Sequence, residues 1–510
     1  MDRKDHKKLE RTDTAHESVN LGVTEQLGLQ NNHELRDLGP LTMVALSFDI
    51  CNSWAAIAST LAVAVNAGGP VTLLYGIILA FVVYAAVAAS LAELASIYPT
   101  AGGQYHFTSI LAPKRFHRSL SYACGLIAAF SWTALGAAAT ILSSQMLLSV
   151  PAFYYADYVP LPWHYFLVYQ AINVVFLLYN LFALRLTPWV HNIGFALTLL
   201  LFLAVTITCL ASADFRSSEY VWTTFESQTG WPAGVTFLTG WSTPCFMYAG
   251  IDGTLHLAEK CTDPIRVVPR ALLSTVLIGF LTAFGFAIAM CYSIDDLSSL
   301  LDTTMPIYAL WRQATGSATA STIFLIILML VVFFVVNVVQ QTASHLIWAL
   351  GRDNGLLFSN RIGIMHPTLH VPVWGLLVNA GLIFIAGCIY LASTQAFNAF
   401  INSTIILQIV SFAMPCVLLL LQGRKESVLP RERGLRLPQW LGWTANLVTI
   451  AAAVIELVFF DFPTSLPVTG SDMNYTCGVI GVIAILSGAN WFCHARTHYD
   501  GPRFESMGFA

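Results

Sequence analysis

The sequence predicts an all-α integral membrane protein of about twelve transmembrane helices. Three observations carry that expectation: a composition too apolar for a water-soluble chain, apolar runs long enough to cross a bilayer, and basic residues concentrated in alternate connections. Of the 510 residues, 56% are hydrophobic and only 10% charged, against about 25% charged in a typical soluble domain. Crossing the hydrocarbon core takes about 20 apolar residues. Twelve runs meet that need, near 41–67, 71–97, 120–149, 164–184, 190–212, 234–258, 268–292, 320–350, 372–392, 396–421, 440–461 and 475–495. The connections are short, so one membrane domain over 41–495 is expected between a polar tail (1–40) and a short C-terminal tail (496–510).

Orientation follows from charge. With both termini in the cytosol, 22 of the 24 Lys and Arg residues fall in cytoplasmic segments, and the outer loops keep only Arg216 and Arg312, as retention of basic residues on the cytoplasmic side requires. A wrong span count would invert every later loop. The N-terminal tail has no apolar core behind its basic start, which argues against a cleaved signal peptide. A net charge of −4 leaves no large basic surface for nucleic acid. The ten cysteines are scattered without CxxC or Cys/His clusters and read as packing residues, so neither metal nor cofactor is expected.

Two apolar spans carry polar interruptions. Span 1 contains "SFDICNSWAAIAST" (47–60), with Asp49, Asn52, Ser53 and Trp54; span 6 contains "PCFMYAGIDGTLHLAEK" (244–260), where Tyr248, Gly250, Asp252 and Gly253 precede His256 and Glu259. Backbone that leaves helical geometry in the bilayer must find partners on protein, water or ligand, so both stretches are candidate binding sites. Their five-helix spacing is that of inverted repeats, spans 1–5 and 6–10, each with a broken first helix facing substrate at the midplane. Freed N–H groups suit a carboxylate, whereas Asp49 and Asp252 suit a cationic amine; capping or pairing inside the bundle is the competing reading for each acid. Phe237, Trp241, Phe246 and Tyr248 gather near the second break, and aromatic faces hold ammonium groups. Trp54 is the leading aromatic beside the first.

Six motifs run in register along the chain: "CNSWAAIASTLAVAVNAGGP" (51–70), "SLAELASIYPTAGGQYHFTSILAP" (90–113), "SQTGWPAG" (227–234), "GIDGTLHLAEKCTDPIRVVPRAL" (250–272), "WALGRDNGL" (348–356) and "FPTSLPVTGSDMNYTCGV" (462–479). In these the chain resembles the amino acid–polyamine–organocation (APC) transporters, and within them the fungal amino acid/choline permeases, nearest those for choline and also touching those for γ-aminobutyrate. The resemblance implies a LeuT-like five-plus-five inverted-repeat fold with two extra helices, secondary active import and proton coupling. It places the helix breaks at Asn52 to Trp54 and Gly250 to Gly253. The sequence departs from the family at Glu259–Lys260 and at Leu356–Leu357.

Glu93, ahead of Pro99, Gly102 and Gly103, is expected at an inner gate with Arg266, where charge pairing between loops holds the gate closed. Sodium in some relatives lies between spans 1 and 8; here Thr342 and Ser344 offer oxygens, while the span 5 lysine that replaces sodium in other relatives is absent. Candidates for carrying a proton are Asp49, Asp252, His256, Glu259 and His191. The substrate narrows to a small amine, choline-like or an amino acid, with proton the favoured partner over sodium and the plasma membrane the favoured location. Export or exchange, and a nutrient sensor on the transporter fold, are the alternatives; no HExxH, HxxxxD or His/Asp cluster supports an enzyme. Asn474 in "NYT" matches the acceptor pattern for glycosylation on the outer side.

Overall fold

The computed structural model describes residues 38–502 except 156, 184–186, 228, 302, 304, 394–395 and 471–472. The polar N-terminal tail and the end of the C-terminal tail lie outside the described residues. Named in chain order, the principal helices are α1 (Pro40–Cys51), α2 (Ser53–Asn66), α3 (Gly69–Ala95), α4 (Gln104–Leu111), α5 (His117–Tyr154), α6 (Pro162–Phe182), α7 (Thr187–Ser212), α8 (Ala233–Gly240), α9 (Ser242–Phe246), α10 (Gly253–His256), α11 (Pro264–Ser293), α12 (Ala318–Arg352), α13 (Val373–Ala392), α14 (Ala396–Leu421), α15 (Gln439–Phe459) and α16 (Thr476–Asn490). Among the described residues there is no strand, only two isolated bridges.

Eleven helices among the described residues are long and apolar enough to cross a membrane, with α1 and α2 together forming the first. The remaining predicted run, span 6 at residues 234–258, is cut into α8, α9 and α10 and is therefore no continuous helix. Span 1 is broken as well. Asn52 sits in the left-handed region at φ 38° and ψ 57°, which Asn tolerates because its short polar side chain bonds locally. Its N–H closes α1 on the Phe48 carbonyl at 2.7 Å, and its own carbonyl opens α2 by accepting from Ala56 N–H at 3.0 Å.

The centre of the bundle is built from α5, α12 and α14, with α3 packed on α11 and α1 lying against α7, α11 and α12. Helices α6, α7 and α16 are mostly exposed along apolar windows, the surface a bilayer covers. After α3 the chain turns through Pro99 to Gly103, which has φ 52°, and re-enters as α4. That helix is buried along most of its length and packs on α5 and α14. The sequence indicated the turn but not the helix.

Glu93 closes the end of α3 as a buried anion. Its carboxylate binds the guanidinium of Arg424, also fully buried, and accepts from Arg433 Nη2 at 2.9 Å and Leu437 N–H at 3.2 Å. Gly442 on α15 makes room for this pair: a Cβ there would lie 2.0 Å from Arg424 Nη2. The partners thus come from the α14–α15 connection. Arg266 is exposed and forms no ion pair among the described residues. Asn474 is buried, donating to the Phe460 and Phe462 carbonyls at 2.7 and 3.1 Å while its Oδ1 accepts from Thr476 Oγ1 at 2.6 Å. An amide so engaged is a turn brace, which corrects its reading as a glycan acceptor.

Removing one partner of a buried ion pair strands the other charge, at a cost of about 3–5 kcal/mol. Glu93→Gln is therefore expected to lower the thermal unfolding midpoint of the detergent-solubilised protein markedly, whereas Arg266→Gln leaves it unchanged. Equal midpoints for the two variants would show that the Glu93 cluster does not hold the helix ends together.

Candidate functional site

The two backbone breaks meet. Ser53 Oγ, on the first turn of α2, donates to the Met247 carbonyl at 2.7 Å, tying the start of α2 to the non-helical stretch between α9 and α10. Gly250 lies in that stretch at φ 83°, and its freed N–H donates to Gln408 Oε1 of α14 at 2.9 Å. Asn52 is fixed from α7: Trp54 Nε1 donates to Thr198 Oγ1 at 3.0 Å, and Thr198 Oγ1 donates to Asn52 Oδ1 at 3.0 Å. Both breaks therefore satisfy backbone or side-chain groups within protein, as a water-poor bilayer demands.

Between the breaks lies a cavity of about 40 Å³, lined by Cys51, Asn52 and Ala55 from span 1, Phe246 and Ala249 from span 6, Leu135 from α5, Val335 from α12 and Phe397 from α14. Its walls are small and apolar, with two phenyl rings and the break itself supplying polarity. Towards the predicted outer face lies a wider chamber of about 320 Å³, whose lining includes Thr60, Asn66, Thr243, Asn402 and Phe460. Ser59 lines the inner cavity and Thr60 the outer chamber, so the two linings meet at consecutive residues of α2.

Of the residues singled out in the sequence, Asn52 and Phe246 line the cavity, whereas Ser53, Trp54, Tyr248 and Gly250 adjoin lining residues in the chain without lining it themselves. Trp54 packs between Phe202 and Phe286, and the Tyr248 hydroxyl donates to the Val276 carbonyl at 2.9 Å. Both rings are engaged away from the cavity. Gly253 meets Ile50 and Trp132 so closely that a Cβ would stand 2.4 Å from Ile50 Cδ1. Neither acid lines the cavity. Asp49 Oδ2 faces His191 Nδ1 of α7 at 3.2 Å, both groups buried, while Asp49 Oδ1 has no hydrogen-bond partner among the described residues.

Asp252 is the hub of a denser network. Its Oδ2 accepts from Gln104 Nε2 at 2.6 Å and Trp132 Nε1 at 3.2 Å, and lies 2.9 Å from His256 Nε2. The other ring nitrogen of His256 faces the Ala101 carbonyl at 2.8 Å. A carbonyl only accepts, so Nδ1 is the ring nitrogen placed to donate to Ala101, and Nε2 is the one turned to the carboxylate.

Closer to the predicted cytoplasmic face the same segments are joined by charge. Glu259 accepts from Ala101 N–H at 3.2 Å and lies 3.7 Å from Arg352 Nη1, whose guanidinium stacks 4.7 Å over the Trp348 ring. Asp353 accepts from the Tyr105 hydroxyl at 2.8 Å and lies 3.4 Å from His106 Nε2. Three stretches, 101–106, 252–259 and 348–353, are thereby closed on one another. Thr342 and Ser344 are buried in α12, where their hydroxyls donate to the Val338 and Gln341 carbonyls.

Sequence reasoning missed Gln104, His106, Asp353 and Arg352 in this closure, and Gln408 and Glu456 elsewhere. Glu456 had a signal, an acid inside an apolar helix. Gln408 had none.

Residues 38–485 match the amino acid permease family. The chain belongs to that family, within the APC superfamily. It is 32% identical to a choline transporter of Saccharomyces cerevisiae over 447 residues, covering 86% of this chain and 78% of that one. Similarity extends to a swainsonine transporter of Arthroderma benhamiae (29% identity; 90% and 91% of the two chains) and to amino-acid permease 2 of Neurospora crassa (29%; 92% and 87%). The chain is thus a multi-pass membrane transporter and not an enzyme.

At Gly250 a side chain meets two obstacles. Left-handed backbone costs a Cβ-bearing residue about 1–2 kcal/mol, and the added atom would lie 2.6 Å from Ile50 Cγ2 and 3.1 Å from Trp132. Gly250→Ala is expected to lower the unfolding midpoint and to reduce transport at least about tenfold, since about 1.4 kcal/mol already corresponds to that factor. Wild-type transport and stability in this variant would show that the break at Gly250 is dispensable.

Proposed function

We propose that this permease is a proton-coupled importer of a small amine in the plasma membrane, choline-like or an amino acid, working by alternating access between two five-helix repeats. The single observation that carries the reading is the meeting of the two helix breaks at one cavity. Substrate sits in the cavity between the two breaks, against Asn52 and Ala249, with Phe246 and Phe397 against its apolar parts. Small aliphatic walls and phenyl faces suit a methylated ammonium, attracted by cation–π interaction and by the carbonyl end of α1. A choline transporter among the relatives supports that choice; the amino acid permease among them, and the N-terminus of α2 as a carboxylate site, support the other.

Asp49 and Asp252 are assigned to protons rather than to direct contact with substrate. Each lies outside the cavity lining and faces a buried histidine, and ionisable groups in a membrane interior mark such relays. Proton is preferred to sodium because two buried acids, Asp49 and Asp252, each face a buried histidine, groups able to carry a proton. Both termini are cytosolic, on the distribution of Lys and Arg. Glu93 belongs to a structural brace, and Glu259 with Arg352 to the inner gate; Arg266 has no assigned partner.

The reading is tested by uptake of labelled choline into transporter-deficient cells at two external pH values, with and without sodium, and with amino acids as competitors. Choline uptake that rises with acidity, ignores sodium and resists amino acids is expected. Competition by amino acids with no choline uptake would move the substrate to the amino acid class. Asp49→Asn is expected to abolish uptake in protein that still reaches the membrane. Phe246→Ala should raise the KM for choline about tenfold, the loss of a cation–π contact worth about 1–2 kcal/mol; an unchanged KM would remove Phe246 from the site.

A further inference from the structure

A third acid lies in the membrane interior, on a helix outside both proposed repeats. Glu456 stands near the end of α15, fully buried, with its Oε1 accepting from Cys245 Sγ of α9 at 3.8 Å. Its Oε2 has no hydrogen-bond partner among the described residues, and neither has the hydroxyl of Tyr84, the nearest ionisable group on α3. The elements packed on α15 offer no cation to this carboxyl. From α3 it faces Tyr84, from α9 Cys245; α14 carries no titratable side chain except Cys416, which lies further along beside Thr449, and α8 carries none. An ionised carboxylate left unpaired at such a site costs several kcal/mol, so in this conformation the group holds a proton.

The position of Glu456 ties that proton to the outer chamber and to the broken helix. Phe459 and Phe460, three and four residues on, line the chamber, as do Ser242 and Thr243 of the short helix that bears Cys245. Phe460 N–H donates to the Glu456 carbonyl at 3.1 Å, and its ring meets Trp241 at 5.8 Å. Glu456 is therefore one turn beneath the chamber floor, with its one side-chain hydrogen bond made to the segment of span 6 that must move if the breaks open and close.

We propose that Glu456 is a proton-binding site of the transport cycle, loaded from the outer chamber and released when α9 shifts away from α15. The proposal rests on the proton-coupled reading above and adds a site on span 11 that works beside the two acid–histidine pairs. A carboxyl serving only as packing would keep its proton throughout, and glutamine, which matches its shape and lacks an exchangeable charge state, would replace it without consequence.

The test uses the full-length protein in liposomes, with choline as the transported probe. Wild-type and E456Q proteins are compared for uptake across external pH and by infrared spectroscopy of protonated carboxyl groups. Expected are a wild-type carboxyl band that E456Q lacks and that changes on adding choline, and an E456Q uptake whose acid stimulation falls to that of an unstimulated sample. Acid stimulation of E456Q equal to wild type, or a band indifferent to choline, would overturn the proposal. Should E456Q fail to fold, Glu456→Asp retains an acid, and its pH midpoint is expected to shift; a midpoint equal to wild type would count against the site. If wild-type uptake itself ignores external pH, the coupling reading fails separately, and the choline response of the infrared band decides Glu456.

Discussion

Freed backbone hydrogen-bonding groups are the constraint on which this structure depends. In hydrocarbon an unpaired N–H or C=O costs several kcal/mol, yet the chain leaves helical geometry at Asn52 and again between Met247 and Asp252. The molecule is arranged around repairing those two sites. Ser53 reaches across to the Met247 carbonyl, Gln408 comes in from α14 for the Gly250 N–H, and Thr198 from α7 holds the Asn52 amide. The repairs draw on α2, α14 and α7, so the broken spans are tied to helices from different parts of the bundle. The cavity is what remains between the repaired ends.

Buried charge follows the same logic. Glu93 is answered by two arginines, Asp353 by a tyrosine and a histidine, Asp252 by an amide, an indole and an imidazole. These clusters join segments distant in sequence, and those around Asp252 and Asp353 share the 101–106 stretch as a common partner. Closure at the predicted cytoplasmic face is therefore ionic and multiply connected. The outer chamber is lined by hydroxyls, amides and phenyl rings instead. Asp49, Asp252 and Glu456 each have one carboxyl oxygen lacking a hydrogen-bond partner among the described residues, and for that reason they are the acids to which proton handling is assigned.

Periodicity and length made the spans legible, because a bilayer imposes one segment length on every helix. The breaks were legible too, since Asn52 and Gly250 are residue types that tolerate positive φ and stand among polar neighbours in apolar runs. What the sequence could not disclose was which way the polar side chains turn. Asp49 and Asp252 read as ligands for an amine, yet each is directed at a histidine, His191 lying 142 positions away and His256 only one helical turn on. Arg266 and Glu93 read as gate partners because both are charged near one surface, while the actual partner of Glu93, Arg424, depends on Gly442 opening space on a different helix. Pairing across the bundle is a tertiary fact, and no local pattern encodes it.

The size of the cavity bears on how such a carrier would work. Sites for small molecules usually enclose roughly 300–1,000 Å³, a range reached here by the outer chamber at about 320 Å³ and not by the space between the breaks at about 40 Å³. A substrate of choline size cannot occupy the inner space as it stands. Binding there must push Phe246 and Ala249 away from Cys51 and Asn52, and these residues adjoin the hydrogen bonds that repair the breaks. Expansion of the cavity is thus coupled directly to the Ser53–Met247 and Gly250–Gln408 contacts, and through α9 to Cys245 and Glu456. In the proposed cycle the energy of holding substrate is spent on displacing span 6, which makes the helix breaks both the binding site and the hinge.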